Sequence, residues 1–281
     1  MRVIPLISIF LSAAISLSAQ QRHLTGQRLD IRAVNSLHDK PQDLVPVIVP
    51  PAIDLKPYAP SIANQSYNNC YAYASVYAGR TILYNITVGE TTDPSKNIFA
   101  PGFIQKLIYG NRLRRCRHYG ADTHYACQLM EEYGALPLRD FPLDCSTQVI
   151  TEEMKDKAAT FKIKAYKLFQ FCASNEAKIS AVKNSLAQMK PVVIGINSIP
   201  SFHMNGGDPD LWEPSVEDRR LINCNAANHA VCIVGYDDNK YGGAFEIMNS
   251  WSKDWKGDGR IWIKYNDLAG FMMFAIELSN N

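Results

Sequence analysis

The hydrophobic pattern of this 281-residue chain changes period partway along its length, and that change narrows the folds open to it. Apolar residues first recur at helical spacing. Cys70 to about Leu83 is an Ala-, Tyr- and Val-rich helix, with Asn68 and Asn69 as capping candidates. Pro101 opens a second helix through Phe103, Leu107 and Ile108, and Gly110 stops it. Thr123 to Glu132 reads as a third, closed by Gly134, and Thr151 starts a charged fourth. Ile179, Val182, Leu186 and Met189 share one more helix face, ended by Pro191. Strand-like runs then dominate: Val192 to Ile196, Ala230 to Tyr236, Ala244 to Asn249, Arg260 to Tyr265 and Phe271 to Leu278. Asp237 to Lys240 and Gly242-Gly243 read as a turn between two of them. A helical segment followed by a strand-rich one predicts an α+β fold with a helical lobe over about 52–160 and an antiparallel β-rich lobe over about 161–281. No internal repeat or low-complexity tract interrupts this.

The chain ahead of that pattern has a different composition. Met1-Arg2 is followed by a mostly apolar run from Val3 to Leu17 and by the small residues of Leu17-Ser18-Ala19, the pattern of a signal peptide over 1–19. The run is short for a membrane span, and Pro5 interrupts it. Residues 20–51 read as a leader to which Pro41, Pro46, Pro50 and Pro51 deny regular structure. Such a leader is either a short propeptide or a linker to a domain over 52–281. The seven cysteines, an odd number, fit an exported protein with disulfides and a free thiol. Cys116 and Cys145 flank a polar stretch and can pair, whereas Cys127 and Cys232 sit in apolar patterns that suggest burial. Sequons occur at Asn64 and Asn85. A glycan on Asn64 would stand close to Cys70, which favours a bacterial, non-glycosylating host and a periplasmic or extracellular location. A net charge of +2 gives no nucleic-acid footprint, and the basic run Arg112 to Arg117 reads as a solvated face.

Cys70 draws attention because it opens a helix straight after a polar loop. The partial positive charge of a helix start favours thiolate over thiol. His229 opens an apolar strand far downstream, where its ring can be held rigidly. Asn249 ends the next strand, and antiparallel pairing across the 237–243 turn would bring its amide oxygen to the imidazole. Trp251 could then shield that hydrogen bond from water. The Gln65 amide and the Cys70 N–H could face a developing oxyanion. A thiol, an imidazole and an orienting amide, in that order, form a nucleophile of the acyl-transfer type.

The sequence blocks around these residues resemble the papain family of cysteine peptidases, in particular its bacterial exported branch. The family's Asn-Gln-Gly-x-Cys-Gly-x-Cys-Trp-Ala-Phe-Ser is met by Asn64-Gln65-Ser66-Tyr67-Asn68-Asn69-Cys70-Tyr71-Ala72-Tyr73-Ala74-Ser75. Its Asp-His-Ala-Val block is met by Asn228-His229-Ala230-Val231, and its Asn-Ser-Trp-Gly-x-x-Trp-Gly block by Asn249 to Lys256. The Cys-to-His separation slightly exceeds the roughly 130–150 residues usual there. The resemblance spans about Ala52 to Leu278. It implies a two-lobed papain-like fold with the cleft between lobes, and peptide-bond hydrolysis through a thioester on Cys70. It further implies His229 as base and acid, Asn249 as orienter and Gln65 in the oxyanion hole. Asn68, Gly120, Asn228 and Trp251 would line the substrate groove. No cofactor or metal is implied. The implied partner is a protein or peptide substrate, with no nucleic acid, no stable membrane insertion and a monomer assumed.

The chain departs from the family around its nucleophile. The loop from Gln65 to Cys70 is one residue shorter, Tyr67 replaces a cysteine, Asn68 replaces a glycine, Tyr71 replaces a tryptophan and Ser252 replaces a glycine. The family's long inhibitory pro-domain is missing. Two other functions remain open at the level of sequence: a papain-fold binding protein without turnover, and a Cys–His acyl transferase or cell-wall amidase. The Asn249-Ser250-Trp251 block speaks against the latter.

Overall fold

Val192-Val193-Ile194-Gly195-Ile196 is a continuous apolar run, and such a run is stable as a strand only where both faces are covered. In the computed structural model, which describes residues 23–41, 46–205, 207–223 and 226–280, it forms a fully buried strand, β4. Around it lies one mixed sheet. Its strands are β1 (His38–Asp39), β2 (Ala52–Asp54), β3 (Ile163–Lys167), β4 (Val192–Ile196), β5 (His229–Asp237), β6 (Ala244–Met248), β7 (Arg260–Lys264) and β8 (Met272–Asn280). The order is β1-β3-β8-β4-β5-β6-β7, with β2 paired to β5 as a side branch. Neighbours run antiparallel except β1 and β3. Alternation in Arg260-Ile261-Trp262-Ile263-Lys264 produces alternate burial in β7, as period-two patterning requires.

The helix that begins at Cys70 is the seam between two cores. It runs as Cys70–Ala72, a wide-turn stretch Tyr73–Arg80, and Thr81–Val88. Tyr71, Ala74 and Val76 enter a core built with Phe99, Phe103, Ile104, Met130 and Leu136 of the helical lobe. Tyr73, Tyr77 and Ala78 enter the other, with Ile194, Ile233, Phe245, Ile247 and Trp255 of the sheet. Each fully buried apolar side chain of this kind contributes about 1.5–3 kcal/mol relative to exposure. The helix approaches the sheet closely at Gly79, where a Cβ would stand 2.7 Å from Leu278 Cδ1 and 3.1 Å from Val193 Cγ2. Cys70 is thereby fixed at the junction of the lobes.

The expected helices and strands form within a few residues of their sequence bounds: Pro101–Tyr109, Thr123–Glu132, Glu152–Ala159 and Asn175–Ala187 are helices. Cys116 and Cys145 are disulfide-bonded, and Cys127 and Cys232 are buried. Two expectations need correction, and one further strand is present. The leader does contain regular structure, a helix Ile31–Ser36 and β1, because its prolines begin only at Pro41 and the N–H groups before it remain free to donate. The strand β3, visible in hindsight as the alternating Ile163-Lys164-Ala165-Tyr166-Lys167, joins β1 to β8. Asn68 and Asn69 do not cap the Cys70 helix: Asn69 occupies the N-cap position without a side-chain cap bond, and its amide donates instead to Asp144 Oδ1 at 2.8 Å. Asn68 Nδ2 donates to the His118 carbonyl at 3.0 Å. The Asn85 sequon is buried, its amide bonded to the Tyr58 and Pro94 carbonyls, whereas Asn64 is exposed. Residues 1–19, read as a signal peptide, lie outside the described residues.

Candidate active site

His229 is the first residue of β5 and pairs with Ile196 of β4. The hairpin from β5 to β6 pairs Cys232 with Met248, so Asn249 arrives beside His229. A bulge between Ile233 and Gly235 sets the twist of this hairpin. His229 Nε2 lies 2.8 Å from Asn249 Oδ1. An amide oxygen accepts only, so the imidazole carries its proton on Nε2. That leaves His229 Nδ1, which is buried and has no hydrogen-bond partner among the described residues. The Trp251 ring stacks on the imidazole at 4.3 Å and is itself buried, so the His229–Asn249 bond is shielded from water. Ser250 N–H also donates to Asn249 Oδ1 at 2.8 Å.

The helix start at Cys70 packs against β5, the strand that His229 opens, and Cys70 is fully buried there. Gln65 is held on both sides of its amide. Its Oε1 accepts the Ser250 hydroxyl at 2.7 Å, and its Nε2 donates to the Tyr67 carbonyl at 2.8 Å and the Thr25 carbonyl at 3.4 Å. Its backbone N–H donates to Ser250 O at 2.8 Å. Within the shortened loop before Cys70, the Gln65 amide is thus held between Ser250, Tyr67 and the leader's Thr25.

The leader occupies that cleft. Trp251 Nε1 donates to Leu24 O at 2.7 Å. Asn228 O receives the N–H groups of Gly26 and Gln27 at 3.3 and 3.2 Å, and Arg28 N–H donates to Ala121 O at 3.1 Å. Gln27 pairs with Ala121 in parallel orientation. The backbones fit so tightly that a Cβ on Gly120 would stand 1.8 Å from Gly26 O, and one on Gly26 would stand 2.2 Å from Asn68 O. The His23 ring stacks on Trp251 at 4.7 Å, as does His203 from the wall after β4. All four positions expected to line the groove, Asn68, Gly120, Asn228 and Trp251, thus meet leader residues. The Asn228 side chain does not face the groove: it is locked to the Ser198 backbone at 2.8 and 3.0 Å.

Burial shifts the proton affinities of both Cys70 and His229. Burial pushes the Cys70 thiol up to about 12 and lowers the His229 imidazole to about 3. Desolvation disfavours both charged forms. Both shifts disfavour the thiolate–imidazolium pair in this closed arrangement. Sequence reasoning missed Ser250, which orients Gln65, and Asp144, which holds Asn69 and Tyr73 at 2.8 and 3.1 Å. Adjacency to Asn249 and to Cys145 was the available signal. Among the described residues, no group of three or more His, Cys, Asp or Glu side chains has the arrangement of a metal site.

A helical and a β-rich lobe, with a helix-start cysteine packed on the strand that a histidine opens and a His–Asn pair under a tryptophan, define a papain-like architecture. The model of the papain family of cysteine proteases matches residues 111–276, and the chain belongs to that family. Its fold is similar to that of xylellain, a cysteine protease from Xylella fastidiosa, with a TM-score of 0.65 at 20% identity over 93% of this chain and 98% of that one. A digestive procathepsin L2 from the Tenebrio molitor larval midgut gives 0.67 at 15% identity, over 92% of this chain and 78% of that one. A procathepsin B from Trypanosoma congolense gives 0.64 at 16% identity, over 92% and 87%. At such identities the likeness concerns the fold. No curated protein sequence matches the chain significantly. The family match begins after Cys70, in keeping with the altered loop there, and contains His229 and Asn249.

Proposed function

We propose that this papain-family peptidase is exported and made with its cleft closed by the leader, through the stretch His23 to Asp30, and that Cys70, His229, Asn249 and Gln65 carry the chemistry once the leader leaves. The observation that carries this reading is the His229–Asn249 bond at 2.8 Å under Trp251, which leaves Nδ1 for a thiol on the facing helix. Opened to water, the site no longer penalises the charged forms by burial, and the neighbouring thiol and imidazole stabilise each other's charge. His229 takes the Cys70 proton, and the resulting ion pair is further favoured by the helix start. The thiolate attacks the scissile carbonyl carbon and its electron pair forms the C–S bond. The carbonyl oxygen becomes an oxyanion, met by the Gln65 amide and the Cys70 N–H. His229 returns its proton to the leaving nitrogen as the C–N bond breaks, giving a thioester and an amine. Water, deprotonated by His229, then releases the acid and restores the thiol. Asn249 holds the ring in one tautomer throughout.

Several features support closure by the leader. Its backbone takes the hydrogen bonds of Asn228, Ala121, Gln65 and Trp251 that a substrate would need. In this closed arrangement burial disfavours the charged forms of the thiol and imidazole. The Cys116–Cys145 disulfide supports an oxidising compartment. An exposed Asn64 sequon bridged to Trp251, where a glycan would crowd the cleft, supports a bacterial host. No helix among the described residues is long and apolar enough to cross a membrane. The test is hydrolysis of a denatured protein substrate by the full chain, before and after limited proteolysis of the leader. Hydrolysis should appear on leader loss and be absent in Cys70→Ala. Equal hydrolysis before and after would remove the closure, and hydrolysis by Cys70→Ala would remove the mechanism.

A further inference from the structure

The leader does more than fill the cleft with backbone: one of its side chains is seated in a built polar pocket. Gln27 is buried, and its Oε1 accepts the Thr123 N–H at 3.1 Å and the Thr123 hydroxyl. Thr123 is itself fully buried and is the first residue of the ten-residue helix Thr123–Glu132. Its N–H is one of the unpaired donors of a helix start, so the pocket offers two donors to any group that enters. The Gln27 amide Nε2 turns back to the Arg28 carbonyl. The seat lies close to the reacting pair: the Gln27 N–H donates to the carbonyl of Asn228, the residue before His229, and Gln27 pairs with Ala121.

We propose that this pocket selects the peptide side chain that reaches it, that Thr123 is its specificity-determining residue, and that it takes a neutral carboxamide, glutamine or asparagine. The proposal rests on the peptidase reading above and names its substrate class. An aliphatic side chain would leave the buried Thr123 N–H and hydroxyl unpaired, and sites built to hydrogen-bond reject analogues that lack the partner. A carboxylate could accept both bonds but meets an existing charge. The Asp122 carboxylate caps the same helix, with Oδ1 accepting the His124 N–H at 2.7 Å and lying 2.7 Å from its ring Nδ1. Its Oδ2 takes the leader's Asp30 N–H at 2.7 Å. A second carboxylate beside it is disfavoured by like-charge repulsion. A carboxamide satisfies both donors without that cost.

The test uses the full chain carrying Gly26→Val, whose leader cannot close over Asn68. Its partner is a synthetic peptide of residues 23–32 with Gln, Asn, Leu or Glu at the position of Gln27. The Gln and Asn peptides should bind at least about tenfold tighter than the Leu and Glu peptides. Thr123→Val, which keeps shape and loses the hydroxyl, should shrink that gap. A mixed peptide library should in turn be cut with glutamine or asparagine enriched at one position. Equal or tighter binding of the Leu peptide, or no difference among the four including no binding, overturns the pocket. Preferential binding of the Gln peptide without hydrolysis leaves the pocket standing and overturns the peptidase chemistry instead, so the two failures are distinguishable. A library profile led by aliphatic or acidic side chains also overturns the inference.

Discussion

At the scale of single residues, function rests on a few polar groups that the fold holds rigid. Gln65 is the clearest case, since the loop before Cys70 differs from the family pattern. Ser250 fixes its oxygen, which leaves its N–H groups directed at backbone carbonyls, one of them the leader's Thr25. A carbonyl of a bound peptide can take that same donor. Gln65→Ala should therefore lower kcat about 10²–10³-fold with little change in KM, as expected for a donor that acts on the transition state. Steady-state kinetics of the leader-free form measure this, and a change confined to KM would assign Gln65 to binding alone. The positions of Cys70, His229 and Asn249 were legible because each sits at the start or end of an element whose period the sequence displays. The partners of Asn68, Asn69 and Asp144 were not, because they join loops far apart in the chain.

At the scale of elements, the helix opening at Cys70 matters most, for it gives one face to each core. Its start is pinned from the side by Asp144, which accepts the Asn69 amide and the Tyr73 hydroxyl and neighbours the Cys116–Cys145 disulfide. Asp144→Ala leaves two partly or fully buried donors unpaired and should cost about 1–3 kcal/mol of stability. Denaturant unfolding would report it, and an unchanged midpoint would contradict the anchoring role. The sheet was readable where burial follows a simple period, as in β4, β5 and β7. It was not readable at β1 and β2, which have two and three residues and are stabilised by their partners rather than by their own pattern. The tertiary pairing of the leader is likewise a property of the cleft that receives it.

At the scale of the whole molecule, burial of the site couples folding to pH. His229 falls from 6.5 to about 3 in the fold, so the unfolded chain binds more protons between those values. Stability therefore weakens as pH falls below about 6.5. His23, facing Trp251 and His203, is also lowered by burial and acts in the same direction. Cys70 rises from 9.0 to about 12, so the unfolded chain loses its proton first and stability weakens above about pH 9. The thermal unfolding midpoint of the full chain should be greatest between these limits, and a flat profile would contradict the linkage. The central claim is that Cys70 is a nucleophile covered by its own leader. Intact-mass measurement of labelling by an epoxysuccinyl thiol reagent tests it most directly. One label should appear on Cys70 after leader loss, together with loss of peptide hydrolysis, and the closed chain should label far more slowly. A Cys70 that stays unlabelled while hydrolysis proceeds would contradict it.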